Sequence, residues 1–252
     1  MNGFEIGIIG GTGGIGKWFA AFFRGEGYPV HVVGRREGMP IPELARRCRV
    51  VIISVPIAAT LDVIRLVGPH LPEDSLLMDF TSLKEEPVRA MLEATTAEVI
   101  GSHPLFGPDC PSLDGQNVVL CPGRGERWLV WLEGLLANGG ARVTVTTPAE
   151  HDRMMSLVQG LTHLETILMG LTLRDSGVAP SALDAFSTPN FRTKRAIVEK
   201  VFGTSPELYA GLLAGNPEVA AIFGRYERNL ALVKELVLSG NAAGLAALMK
   251  EK

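Results

Sequence analysis

The chain has 252 residues, 46% of them hydrophobic and 20% charged, with a formal net charge of −3. This composition supports a substantial core and argues against disorder, and the near-neutral balance without a basic run gives no footprint for nucleic acid. The longest apolar run, Val50 to Ala59 with Ser54 and Pro56 inside it, is too short to span a bilayer.

From the start, an apolar run, Ile6 to Ile9, leads into Gly11-Thr12-Gly13-Gly14-Ile15-Gly16 and then a helix-like stretch, Lys17 to Arg24. A G-x-G-x-x-G pattern between strand and helix predicts a dinucleotide site. On this reading Gly11 permits the tight turn, Gly13 lets backbone approach a pyrophosphate, and Gly16 lets helix pack on strand. The exposed N–H groups and dipole of the helix start favour the phosphate charge. A strand so near the start leaves no room for a secretory leader.

The second strand ends in Val33-Gly34-Arg35-Arg36, without the acid that NAD sites offer to the ribose hydroxyls. Two guanidiniums there either clamp a 2′-phosphate or form a solvated turn; the expected cofactor is NADP, with NAD possible. Ser54-Val55-Pro56 closes the third strand and Asp79-Phe80-Thr81-Ser82-Leu83-Lys84 the fourth. Ser82, three residues before Glu85, also fits a capping box. His103 follows in Ser102-His103-Pro104-Leu105-Phe106-Gly107-Pro108, at a strand exit and before a proline that keeps it extended. Open α/β sheets bind ligands at that end, so cofactor and imidazole are expected to meet in one crevice.

Strands are predicted at Glu5–Ile9, Val30–Val33, Val50–Val55, Leu76–Phe80, Glu98–Gly101, Asn117–Leu120 and Arg142–Thr146. Helical patterns between them complete an α/β, doubly wound, mainly parallel nucleotide-binding sheet over 1–148. From Pro148 the β signals stop, and 149–252 reads as all helix, with Ser205-Pro206 and Asn216-Pro217 as helix starts and Gly240 as a helix stop. A helix from Glu150 to Arg174 is apolar on most sides, which predicts burial against its own domain and a second subunit. Asp152, Ser156, Gln159, His163 and Thr166 fall within an arc of roughly 80° at ~100° per residue. That seam is either an interhelical hydrogen-bond network or the lining of a substrate cleft. Arg192, Lys194, Arg195 and Lys200 are either a solvated face or the counter-charge for an anionic substrate.

Cys48, Cys110 and Cys121 lack C-x-x-C spacing; reduced thiols in a cytoplasmic protein are expected, with no metal. No second carboxylate at a spacing typical of glycosidases, no G-x-S-x-G and no metal-ligand cluster is evident. Hydride transfer assisted by one acid/base group is the reaction type that remains.

These residues resemble the prephenate dehydrogenase family, which includes arogenate dehydrogenases. The likeness rests on Gly10 to Ala20, Asp79 to Lys84, Ser102 to Pro108, Glu150-His151-Asp152, Val158 to His163, and Ser205 to Tyr209. It implies a nucleotide-binding domain followed by an all-helical substrate and dimerisation domain, hence a homodimer. It also implies NADP-dependent oxidative decarboxylation of prephenate, or of arogenate, in tyrosine biosynthesis. Under the resemblance His103 takes the proton of the substrate's 4-hydroxyl, Ser82 orients His103, and Gln159 and His163 line the cleft. Arg192 and Lys200 meet the carboxylates of a dicarboxylate substrate. Many relatives carry an arginine where this chain has Lys200, which leaves the choice between prephenate and arogenate open. The chain ends soon after its last helices, so a fused mutase or regulatory domain is not expected. Two other readings are a deazaflavin-dependent NADP reductase and a non-catalytic NADP-sensing module.

Overall fold

Runs such as Ile6–Ile9 and Val50–Ile53, apolar and buried on both faces, fit the inside of a parallel sheet covered by helices on each side. The computed structural model, which describes residues 3–204 and 206–250, has this arrangement. Strands β1 (Ile6–Ile9), β2 (Val30–Val33), β3 (Val50–Ile53), β4 (Leu76–Asp79) and β5 (Glu98–Pro104) pair in parallel in the order β2-β1-β3-β4-β5. Strand β6 (Asn117–Arg124) joins antiparallel to β5, and β7 (Arg142–Val145) lies parallel to β6. All seven predicted strands are present. The main differences are at β5, which runs on through His103 and Pro104, and at β6, which runs on to Arg124, because each supplies the other with an antiparallel partner there.

Alternation along each strand sorts the core into two layers. Ile6, Ile8, Val50, Ile52 and Met78 face helices α1 (Gly14–Gly25) and, further along the chain, Arg127–Asn138. Ile9, Val51, Ile53, Leu77 and Val99 face α2 (Ile41–Arg47), α3 (Ile57–Val67) and α4 (Glu85–Ala94). The helix at 127–138, α5, presents Trp128, Leu132 and Leu136 one turn apart, all buried. Phe19 of α1 stacks on Phe80 at 4.2 Å between ring centroids; truncating so buried a ring costs about 3–5 kcal/mol.

The chain divides into two compact units, Met1–Met154 and Met155–Lys252. The division falls within α6 (Pro148–Met155), whose first residue is the end of the nucleotide-binding domain as read from sequence. Beyond α6 the helical path continues through a π-helical segment, Ser156–Leu161, into α7 (Thr162–Asp175). Then come α8 (Pro180–Asp184), α9 (Pro189–Thr204), α10 (Pro206–Gly215), α11 (Val219–Leu238) and α12 (Ala242–Leu248). Helices α7 and α9 approach closely: a Cβ on Gly170 would sit 2.4 Å from the Phe202 ring.

Two expectations need correction here. The Glu150–Arg174 stretch is not a uniform α-helix, because the π segment widens the turn at 156–161 and changes the phase of every later side chain. Helix α11 starts at Val219 rather than Pro217, because the Asn216 side chain accepts from the Glu218 N–H (3.0 Å) and holds a turn ahead of the helix. Ser205 lies outside the described residues. Gly240 does stop α11, with φ of +68° and its N–H on the Val237 carbonyl. No helix among the described residues is long and apolar enough to cross a membrane.

Candidate active site

The glycine loop joins β1 to α1, and its glycines divide the work differently from the sequence reading. The larger positive φ, +84° against +30° at Gly14, belongs to Gly10, and a Cβ there would lie 2.2 Å from the Ser54 carbonyl oxygen. Gly11 instead packs against Ile8 and Val32. Gly16 makes the close helix–strand approach as expected, since a Cβ would meet the Gly10 oxygen at 2.6 Å. Around Gly13 and Gly14 the space is open: nothing lies within 3.9 Å of a Cβ on the first and nothing within 4 Å on the second. Gly13 is the N-cap of α1, and no side chain caps the helix. An uncapped helix start beside open space fits a phosphate group, because its N–H groups have no intrahelical acceptor.

The neighbouring strand ends complete this rim. Thr12 lies against Gly34, where a Cβ would be 2.9 Å from Thr12 Oγ1. Arg35 and Arg36 are exposed on the turn closed by the Gly34 N–H and the Glu37 carbonyl. Ser54 and Val55 are half-buried after β3, and Pro56 is the N-cap of α3. Ile15 is half-buried in the first turn of α1.

A buried polar centre sits where β4 and β5 end. Asp79 and Lys84 form an ion pair with both side chains at 0% exposure. Asp79 Oδ2 also accepts from the Thr81 N–H at 2.9 Å and lies against the Thr81 hydroxyl. His103, 3% exposed, pairs in register with Val119 of β6. Its Nδ1 lies 2.8 Å from His151 Nε2, and His151 Nδ1 lies 2.7 Å from Asp152 Oδ1. The Asp152 carboxylate accepts in turn from the N–H groups of Lys84 and Glu85, each at 2.9 Å. Burial, with His151 and Lys84 adding to it, holds the His103 imidazole well below its ordinary pKa of 6.5. His103 is therefore neutral, and a proton acceptor, throughout the neutral range.

The capping box does not form. Asp152, not Ser82, satisfies the start of α4, and its charge at two N–H groups of a helix N-terminus outcompetes a hydroxyl. Ser82 is half-buried and makes no hydrogen bond among the described residues, and the partner on His103 Nδ1 is His151. The sequence reading leaves His151 out of the site and places Asp152 only in the polar seam. Their signal is present, an adjacent His-Asp pair buried on a helix between half-buried Glu150 and exposed Arg153.

In the helical unit, Gln159 lies in the π segment and His163 in α7, both half-buried. The His163 ring meets Tyr209 edge-on at 4.8 Å, and burial lowers its pKa. Thr166 turns its hydroxyl back to the Thr162 carbonyl at 2.8 Å, so it leaves the seam. The four cations of α9 are not one cluster. Arg195 is held by Asp184 at 2.6 Å and Glu199 at 3.1 Å, and Lys194 lines a groove with Glu165 and Tyr226. Arg192 and Lys200 are exposed and carry no ion pair among the described residues.

Comparison with known proteins follows the same division. Residues 33–145 match the family model described as prephenate dehydrogenase, nucleotide-binding domain, and residues 147–251 match prephenate dehydrogenase, dimerization domain. A probable arogenate/prephenate dehydrogenase of Methanocaldococcus jannaschii is 37% identical over 98% of this chain and 59% of its own length. A T-protein of Haemophilus influenzae is 37% identical over 86% of this chain and 58% of its own. The chain thus spans about three-fifths of these curated relatives. Among solved structures, a prephenate dehydrogenase from A. aeolicus in complex with hydroxyphenyl propionate and NAD+ shares the fold with a TM-score of 0.80. It is 19% identical and covers 99% of this chain and 96% of its own. Synechocystis arogenate dehydrogenase has a TM-score of 0.75 at 20% identity, with 98% and 96% covered.

Proposed function

Because the chain belongs to the prephenate dehydrogenase family, we propose that it oxidises and decarboxylates prephenate, or its amino analogue arogenate, for tyrosine synthesis in the cytoplasm. The observation that carries this reading is a neutral, buried His103 in β5, two residues beyond the last parallel pair, Asp79 with Gly101. The sheet unit serves as the nucleotide-binding domain and the helical unit as the substrate and dimerisation domain.

A nicotinamide dinucleotide, when bound, supplies the hydride acceptor. The N–H groups of Gly13, Gly14, Ile15 and Gly16 would hold its phosphates, with Gly11 and Thr12 forming the loop behind them. Ser54, Val55 and Pro56 would line the nicotinamide side. Arg35 and Arg36 would take a 2′-phosphate, which makes NADP the preferred form. His103 Nε2 accepts the proton of the 4-hydroxyl as hydride leaves the same ring carbon. The electrons of the ring carbon–carboxylate bond then complete the aromatic ring as CO2 departs. Ser82, with an uncommitted hydroxyl, contacts the substrate. From the helical unit, Gln159 and His163 would contact the substrate, and Arg192 and Lys200 would supply positive charge for its carboxylates. Lysine gives charge without the fork geometry of arginine.

The test is absorbance at the reduced-nicotinamide band after adding NADP with prephenate or with arogenate. Growth of that band with either substrate, with CO2 released in equal amount, is expected. Reduction of NADP by a deazaflavin without turnover of either ring substrate would overturn the reading.

A further inference from the structure

We infer that His151 and Asp152 are positioning residues that fix the tautomer of His103 and so keep its Nε2 as the proton acceptor. The inference rests on His103 being the base and adds how that base is kept ready.

The argument starts at the carboxylate. Both Asp152 oxygens accept backbone N–H groups from the start of α4, so they act as acceptors, and the 2.7 Å contact with His151 Nδ1 is filled by a ring N–H. A neutral imidazole protonated at Nδ1 bears a lone pair on Nε2. That lone pair faces His103 Nδ1 at 2.8 Å, which must therefore donate. The remaining nitrogen of His103, Nε2, is then unprotonated.

No other placement of the two ring protons satisfies both contacts. The reverse tautomers would set a lone pair against a carboxylate, or N–H against N–H. His103, His151 and Asp152 are 3%, 1% and 2% exposed, so bulk water does not repair such a clash. When His103 takes the substrate proton, it becomes a cation on Nε2 while its Nδ1–H stays on His151. No bond in the relay breaks, and no proton travels along it. The arrangement extends the logic of a hydrolase triad, in which a buried carboxylate sets the tautomer of a histidine base, by one intervening ring. Lys84, paired to Asp79, is the like charge close by that disfavours the His103 cation.

Three variants of the full chain separate this role from simple packing. In His151→Gln the amide oxygen reaches the position of Nε2 and still accepts from His103. In His151→Asn the amide reaches only the position of Nδ1, toward Asp152. His151→Phe offers neither contact. Expected turnover is within about tenfold of the parent for Gln and down roughly 10²–10³-fold for Asn and Phe, with NADP affinity unchanged. Nitrogen-15 NMR of histidine-labelled protein should find His103 protonated at Nδ1 in the parent and in the Gln variant. Turnover that simply tracks melting temperature across the series, or Nε2 protonation of His103 in the parent, would overturn the relay. His103→Asn is run beside it. Normal turnover in that variant refutes the base itself, whereas loss there with an unaffected His151 series refutes only the relay.

Discussion

Replacing Lys84 by methionine isolates one charge at the centre of the site. Methionine keeps much of the volume but removes the ammonium, leaving the Asp79 carboxylate fully buried with only the Thr81 contacts on Oδ2 and no hydrogen-bond partner on Oδ1. Breaking a buried ion pair from one side costs about 3–5 kcal/mol. For a chain of this size each kcal/mol lowers the melting temperature by roughly 2–4 °C, so a fall of about 6–20 °C is expected by scanning calorimetry. The double variant Asp79→Asn with Lys84→Met removes both charges yet keeps an acceptor for the Thr81 N–H, and it should recover more than half of that loss. The same change reaches the chemistry. His103 is depressed by burial first, then by His151, then by Lys84. Deleting the third cause raises its pKa without restoring the ordinary value. Since the base works only when unprotonated, activity lost on acidification should be lost at a higher pH in Lys84→Met than in the parent. The uncompensated Asp79 acts in the same direction, so the double variant should move back toward the parent. Equal melting temperatures for single and double variants, or an acidic limb that stays or moves to lower pH, would refute the reasoning.

The cofactor and the assembly give two further outcomes. Arg35→Ala should erode a preference for NADP over NAD of at least about tenfold, two charge-assisted contacts being worth ~1.5–3 kcal/mol each; equal catalytic efficiency with both cofactors in the parent would refute it. The helical unit leaves Val158 58%, Leu168 39% and Leu230 56% exposed, so light scattering at micromolar concentration should give a dimer mass, and a monomer mass would refute the proposed dimer.

The sheet was legible because its signals are local. Runs such as Val50 to Ile53 are β-branched, bounded by turns and apolar on both faces, and a buried parallel strand needs nothing else. His103 was legible for a similar reason, by its place at a strand exit and its proline neighbour, although its strand proved longer than the sequence suggested. The contact that Asp152 makes was not legible. Asp152 acts on Lys84 and Glu85, 68 and 67 residues away, and no local pattern encodes a helix cap delivered from so far. The local capping signal at Ser82 pointed to a bond that does not form. The seam through Gln159 and His163 was drawn with a fixed angle per residue, and a π segment breaks that angle without any change in composition. Gly10 and Gly11 exchanged roles because sequence places a turn only to within a residue.

The antiparallel pairing of β5 with β6 has a consequence for how such a protein diverges. His103 is held by its cross-strand neighbour Val119, with Ser102 on Leu120 and Pro104 on Val118, so its position is set by the ladder and not by the connecting segment from Leu105 to Gln116. Apart from its own anchors, buried Leu113 and the Cys110 carbonyl that accepts from Trp18 Nε1, that segment can vary in length and side chains while the imidazole stays where it is. The ladder thus separates what fixes the ring from what spans the two strands, so variation in the second need not disturb the first.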